Sequence, residues 1–256
     1  MTYVISDLHG CLDKWQAMLE QIKLKETDML FVLGDVVDRG PSPIPLLLDL
    51  MMRPNVFPIL GNHECSMLLC VQDLPLDTTL QNLPQRVSKG SLPSLRMWMK
   101  NGGRTTLEQY LALPCDEKEQ LLNYLQEFTL YESVTVKDAT PYRNMTRQQL
   151  SALKQKPVLK DRTYLLTHSG LLHFSPERDL EDYQLEEFLS DRPNLDSRYF
   201  ADQMLVLGHT PTPLIRKDQQ PAILFTDTYI DIDCGCSFDG RLGCLRLEDW
   251  KEFYVE

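Results

Sequence analysis

The sequence predicts an α/β fold built on a largely parallel sheet, and three observations carry that expectation. Short apolar runs alternate with stretches of helical spacing over residues 1–71. Motifs rich in aspartate and histidine begin where apolar runs end, the edge at which open α/β sheets bind ligands. A proline-punctuated stretch over residues 72–160 interrupts the alternation before short apolar runs resume.

Residues 3–6 read as a buried strand. Residues 12–24 set Leu12, Trp15, Leu19 and Ile22 at helical spacing. Residues 29–33 are an uninterrupted apolar run, strand-like again. Residues 44–52 read as a helix opened by two prolines, which suit a first turn. Residues 56–60 form a third strand, and a helix follows over about 64–71. Beyond it, Pro75, Pro84, Pro93, Pro114, Pro141 and Pro157 separate helical spacing at 92–100, 105–111 and 117–128. Thr146-Arg147-Gln148-Gln149-Leu150 signals one more helix. The stretch over about 72–160 is therefore expected to be a helical insertion lying over the sheet, within a single domain spanning 1–256. Strands return at 164–167, 204–207, 223–225, 230–233 and 243–247, so short and closely spaced that some pair antiparallel.

Composition excludes several classes. The net charge is −11 and lysine and arginine form no long cluster, which argues against a nucleic-acid partner. No apolar stretch approaches the ~18 residues of a membrane helix, and no basic-then-apolar leader opens the chain. Seven cysteines without framework spacing suit a reducing, cytoplasmic setting. An acidic body repels polyanions at long range, so phosphate binding must come from a local cationic site such as metal ions.

Four of the five histidines lie in motifs at strand ends. Asp7 and His9 sit two apart, which puts both on one face of an extended chain. Asp35 has two oxygens and can bridge two ions. Arg39 offers a fork of donors matched to phosphate oxygens, and Asp38 stands beside it. Asn62 supplies a neutral oxygen ligand. Its neighbour His63 is then better placed as a general acid, held by Asp38. His168 and His209 are nitrogen ligands at two further strand ends. Together these residue types supply ligands for two divalent ions, which about 3.5–4 Å apart would clamp a phosphate and activate a bridging water. The mixed nitrogen and oxygen set suits Mn²⁺, with Fe²⁺ or Zn²⁺ as alternatives.

The motifs Ser6-Asp7-Leu8-His9-Gly10, Gly34-Asp35-Val36-Val37-Asp38-Arg39-Gly40, Gly61-Asn62-His63-Glu64, His168-Ser169-Gly170 and Gly208-His209-Thr210 together resemble the phosphoprotein phosphatase branch of the calcineurin-like metallophosphoesterases. Stretches over 98–110 and 232–242 are similar to tracts of its small bacterial Ser/Thr protein phosphatases, with Phe238 at the place of an active-site aromatic. The resemblance implies a central β-sandwich of mixed sheets flanked by helices. It implies that Asp7, His9 and Asp35 hold one metal, that Asp35, Asn62, His168 and His209 hold the other, and that Arg39, Asn62 and His63 meet the phosphate. A further phosphate arginine is expected between the last two histidines, with Arg192 the first candidate and Arg198 the second. One departure stands out. Where eukaryotic and phage-type protein phosphatases carry an arginine before Gly-Asn-His-Glu, this chain has Leu60, as the symmetrical diadenosine tetraphosphatases have an apolar residue.

The leading expectation is thus a phosphoric monoester hydrolase of the Ser/Thr protein phosphatase type, acting on a phosphorylated protein or small phosphorylated substrate. A metal-bridging hydroxide would be the nucleophile, with no covalent phosphoenzyme. The alternative is a symmetrical dinucleoside-tetraphosphate hydrolase, and a catalytically silent scaffold is the rival from another class. Cys234, Cys236 and Cys244 read as small buried residues, His173 as a core or surface residue, and 177–187 as a solvated helical face.

Overall fold

A computed structural model describes residues 1–153 and 158–256. Two five-stranded mixed sheets share one apolar layer. The first contains β1 (Thr2–Ile5), β2 (Met29–Val32), β3 (Val56–Pro58), β9 (Leu242–Arg246) and β10 (Lys251–Val255), ordered β10-β9-β1-β2-β3. The second contains β4 (Tyr131–Asp138), β5 (Lys160–Thr167), β6 (Met204–Leu207), β7 (Leu224–Phe225) and β8 (Tyr229–Asp231), ordered β4-β5-β6-β8-β7. β1, β2 and β3 run parallel, as do β5, β6 and β8. The outer pairings are antiparallel.

The period of two explains the layers. Val4, Phe31, Tyr164, Val206 and Ile230 point into the space between the sheets. Their neighbours Tyr3, Ile5, Leu30 and Val32 point outward onto helices. Leu165, Leu205, Leu207 and Tyr229 do the same on the far side of the second sheet. Central strands buried on both faces read as unbroken apolar runs, which is why the sequence displays them. The helices on the first sheet's side are α1 (Leu12–Ile22), α2 (Pro43–Met51), α3 (Asn62–Val71), α4 (Leu83–Arg86), α5 (Leu92–Trp98), α6 (Arg104–Ala112) and α7 (Cys115–Gln126). α1 packs on β9 and β10, while α5 and α7 pack on α3 and α6 on α2. Trp15, Met18, Leu46, Leu50, Met67, Trp98 and Leu121 share one apolar cluster with the outward faces of β1 and β2. Each fully buried side chain of this size contributes about 1.5–3 kcal/mol. α8 (Arg147–Ser151) and α9 (Leu185–Leu189) are single turns.

The stretch expected to be helical over 72–160 is helical as far as Gln126 and again in α8, the helix that Thr146–Leu150 signalled. Between them it supplies β4, an edge strand paired antiparallel with β5 along its whole length. β4 buries Val134 and Val136 and exposes Ser133, Thr135 and Lys137, the alternation of a half-covered strand. Pro157, read from sequence as punctuation, lies outside the described residues. The acidic stretch 177–187 is not one helical face. It breaks into a 3₁₀ turn at Leu180–Asp182 and α9, with Glu187 turned in toward Arg178.

Candidate metal centre

Strand ends from both sheets meet at one cleft. Asp7 and His9 follow β1, Asp35 and Asp38 follow β2, and Asn62 and His63 open α3. His168 follows β5 and His209 follows β6. All are buried except Asn62 and His209, which are half-buried.

Asp35 is the hub. Its carboxylate lies 3.5 Å from His168 Nε2, 3.7 Å from His9 Nε2 and 3.8 Å from His63 Nε2. Its Oδ1 accepts the His63 backbone N–H at 3.0 Å, where a helix N-terminus favours negative charge. Two clusters result, His9–Asp35–His63 and Asp35–His168–His209, each with ligand atoms within 4.8 Å of one another. Asp35 belongs to both.

The ring protons can be assigned. The carbonyls of Val37 and Leu33 face His9 Nδ1 at 2.9 Å and His168 Nδ1 at 2.8 Å. A carbonyl only accepts, so each Nδ1 donates and each Nε2 turns a lone pair to the cleft. His168 Nε2 then stands 2.9 Å from Asn62 Oδ1 and 3.1 Å from His209 Nδ1. The Asn62 oxygen and the His209 Nδ1 lone pair can converge with it on one cation. Arg39 brings one to the other cluster: its guanidinium donates to His9 Nε2 and to His63 Nε2. Imidazole, carboxylate and amide oxygen in this arrangement fit first-row divalent ions.

Environment divides the histidines. Burial pushes His9 and His209 down to about 3, against the pull of Asp35. Burial lowers His168 too. These three stay neutral at pH 7 and keep their lone pairs. His63 goes the other way, because Asp35 and Asp38 outweigh its burial and raise its pKa. Asp35 is buried as well, but the surrounding imidazoles hold it below the usual carboxylate range. Asp7 is pushed well up by burial and by the charges of Asp233 and Asp35, and burial lifts Asp233 to about 7. Carboxylates gathered this closely are a second mark of a place for cations.

The residues singled out from sequence land as follows. His9, Asp35, His168 and His209 fall inside the two clusters, with Asn62 in contact with the second. Asp7 lies beside both rather than within either, its Oδ2 accepting the His209 N–H at 2.9 Å. It does not cap α1, which starts after Cys11. Asp38 Oδ2 accepts from His63 Nδ1 at 2.6 Å. Arg39 and Arg192 line a cavity of about 380 Å³ with His209, Pro211, Leu214 and Phe238. Arg198 donates to the carbonyls of Leu195 and Ser197 instead, which leaves Arg192 as the arginine at the cleft. His173 stands at the surface, 76% exposed, beside Glu187.

Two carboxylates escape the sequence reading. Glu64 is fully buried, and its carboxylate accepts the N–H groups of Asp35, Gly61, Val36 and Val37 at 2.8–3.0 Å. It ties the loop after β2 to the start of α3. Burial, reinforced by Asp35, pushes its carboxyl up to about 7. Asp233 follows β8 by two residues, as Asp7 follows β1 and His209 follows β6. The same strand-end rule identifies it.

Paired mixed sheets with an Asp/His cluster at the carboxyl ends of their parallel strands define a class, the metal-assisted phosphoester hydrolases. The chain belongs to the calcineurin-like phosphoesterase family, whose model matches residues 2–231. A curated relative, the symmetrical bis(5'-nucleosyl)-tetraphosphatase of Erwinia tasmaniensis, is 32% identical over 291 positions, covering 100% of this chain and 96% of its own. The same-named protein of Salmonella paratyphi C is 27% identical and covers 100% and 94%. The crystal structure of a chain provisionally described as a diadenosine tetraphosphatase superposes with a TM-score of 0.59. It has 16% identity, over 99% of this chain and 92% of that one, a likeness of fold. Among the described residues, no helix is long and apolar enough to cross a membrane.

Proposed function

We propose that the protein hydrolyses dinucleoside polyphosphates, cleaving a tetraphosphate bridge symmetrically, rather than acting on phosphoproteins. The cavity beside the metal cluster carries this reading. It joins two guanidinium groups, Arg39 and Arg192, to an apolar wall of Pro211, Pro213, Leu214 and Phe238. Leu214 and Phe238 are 76% and 56% exposed, large apolar surfaces left uncovered next to a polar cleft. Arginines suit a phosphate chain and an apolar wall suits a base. The names of the full-length relatives support the same choice, as does Leu60, which packs against the helical core.

His9, Asp35, Asn62, His168 and His209, with Asp7 alongside, would hold two divalent ions, which supply charge at phosphorus and an activated water. The side chains do the rest. Arg39 grips the phosphate oxygens, and His63 Nε2 carries a proton. Asp38 keeps His63 oriented through Nδ1, so that proton points at the leaving oxygen. No side-chain nucleophile takes part.

Turnover with added Mn²⁺ on diadenosine tetraphosphate, a phosphopeptide and an aryl phosphate tests the reading. The first should be preferred and should yield ADP alone. Preference for the phosphopeptide, or ATP with AMP as products, would overturn it. Base–aromatic stacking contributes about 1–3 kcal/mol, so Phe238→Ala should raise KM for the dinucleotide roughly tenfold or more.

A further inference from the structure

Helices α5 and α6 and the π-turn between them, Met99–Gly103, close on the loop that follows β2. They act on Asp38. Its Oδ2 accepts the Trp98 indole N–H at 2.8 Å as well as the His63 Nδ1–H at 2.6 Å. Its Oδ1 accepts the Thr106 hydroxyl at 2.6 Å. The same hydroxyl oxygen accepts the backbone N–H of Asp38 at 3.0 Å, and the carbonyl of Gly102 accepts that of Arg39 at 3.0 Å. Asp38, Trp98 and Thr106 are at most 2% exposed, so water does not compete for these bonds.

The loop they grip is one that needs gripping. Asp38 and Arg39 stand at φ of 72° and 63°, a left-handed backbone that non-glycine residues resist. The Asn101-Gly102-Gly103 tract fits the same purpose. A Cβ on Gly102 would stand 2.7 Å from Arg39 Cγ, and one on Gly103 would overlap the indole nitrogen of Trp98. Both glycines let the π-turn close on the residues it holds.

We propose that Trp98 and Thr106 are positioning residues for the proton donor, clamping the Asp38–Arg39 loop so that Asp38 presents one fixed oxygen to His63 Nδ1. The Trp98 indole can only donate, and the Thr106 hydroxyl meets the other oxygen, an environment that favours Asp38 as an acceptor. His63 Nδ1–H is thereby committed to it, and Nε2 is left as the ring position that exchanges a proton with substrate. The inference rests on reading His63 as the general acid.

Trp98→Phe keeps the ring and removes the N–H. Thr106→Val keeps the shape and removes the hydroxyl, and Thr106→Ser restores it. Each variant is assayed with Mn²⁺ on phenyl phosphate, whose leaving oxygen needs a proton, and on p-nitrophenyl phosphate, whose leaving group departs as a stabilised anion. A well-placed general acid is worth about 10²–10⁴, so kcat on phenyl phosphate should fall roughly tenfold or more, with KM and the p-nitrophenyl rate within about twofold. Thr106→Ser should recover the rate. Backbone amide exchange at Asp38 and Arg39 should quicken in Thr106→Val, with or without metal. Equal losses on both esters, no loss on either, or unchanged exchange would each overturn the clamp. His63→Asn on the same ester pair separates the two layers of the argument. If it too fails to discriminate, the acid role falls; if it discriminates and the Trp98 and Thr106 variants do not, the clamp alone falls.

Discussion

Replacing one oxygen of Glu64 should weaken both the fold and the metal site. Oε2 accepts from Asp35 at 2.8 Å and Gly61 at 3.0 Å, and Oε1 accepts from Val36 at 2.8 Å and Val37 at 3.0 Å. Glu64→Gln puts an NH₂ where one oxygen stood. Whichever way the amide turns, two buried N–H groups lose their acceptor and meet donors instead. Each such loss costs about 1–3 kcal/mol, hence roughly 2–6 kcal/mol for the pair. Total stability is about 5–15 kcal/mol, so this is a large fraction. At about 2–4 °C per kcal/mol for a chain near this size, Tm should fall by roughly 4–24 °C. The loops released carry Asp35, Asn62 and His63, so Mn²⁺ affinity should fall as well. Scanning calorimetry of metal-free protein followed by calorimetric Mn²⁺ titration measures both. A variant melting within about 1 °C of wild type, with unchanged Mn²⁺ affinity, would refute the reasoning.

Asp35→Asn removes the charge common to both clusters, and metal analysis should find the site depleted; retention of the full complement would end the bridging role. Arg178 holds Glu187 through bonds of 2.8 and 2.7 Å and draws its pKa from 4.5 to about 2. The folded value lies below the ordinary one, so the pair stabilises above that ordinary value and loses its contribution as pH falls toward about 2. The Tm gap between wild type and Glu187→Gln should close across that window, and a constant gap counts against the pairing. Arg39 stands at φ 63°, so Arg39→Gly should melt about 2–8 °C above Arg39→Ala although both lose activity. An alanine variant as stable as the glycine one would mean the backbone there is unstrained.

The strands and metal-type residues were legible because both depend on local pattern. β1, β2 and β6 are buried on both faces and stand out as apolar runs, and the motifs begin where those runs stop. β4 was hidden by company rather than by composition. Val134 and Val136 alternate with polar residues, but the strand follows a run of helices and only gains meaning from its pairing with β5. Glu64, Trp98 and Thr106 were not readable as site residues for a related reason. Trp98 and Thr106 meet Asp38 from 60 and 68 residues away, and no periodicity encodes that meeting. Substrate choice was half legible. Leu60 and Phe238 were visible in sequence, whereas the pairing of Phe238 with Leu214 and Arg192 around one cavity needed the fold.

Backbone strain shows how the centre is held. Asp7, His9, Asp35, Asp38, Arg39 and His209 all have positive φ, from 43° to 72°. At roughly 1–2 kcal/mol each, their combined strain is of the order of a protein's whole net stability, about 5–15 kcal/mol. Such strain persists only where the surroundings over-determine it. Here the N–H of every one of the six is taken by another segment. Asp7 donates to the Gly34 carbonyl, His9 to that of Asp35, and Arg39 to that of Gly102. Asp35 donates to Glu64, Asp38 to Thr106, and His209 to the Asp7 carboxylate. Several partners are themselves site residues, so moving one loop pulls on the next. Ligand geometry is therefore tied to the backbone network, and a change in any one of these bonds should be felt across the cluster.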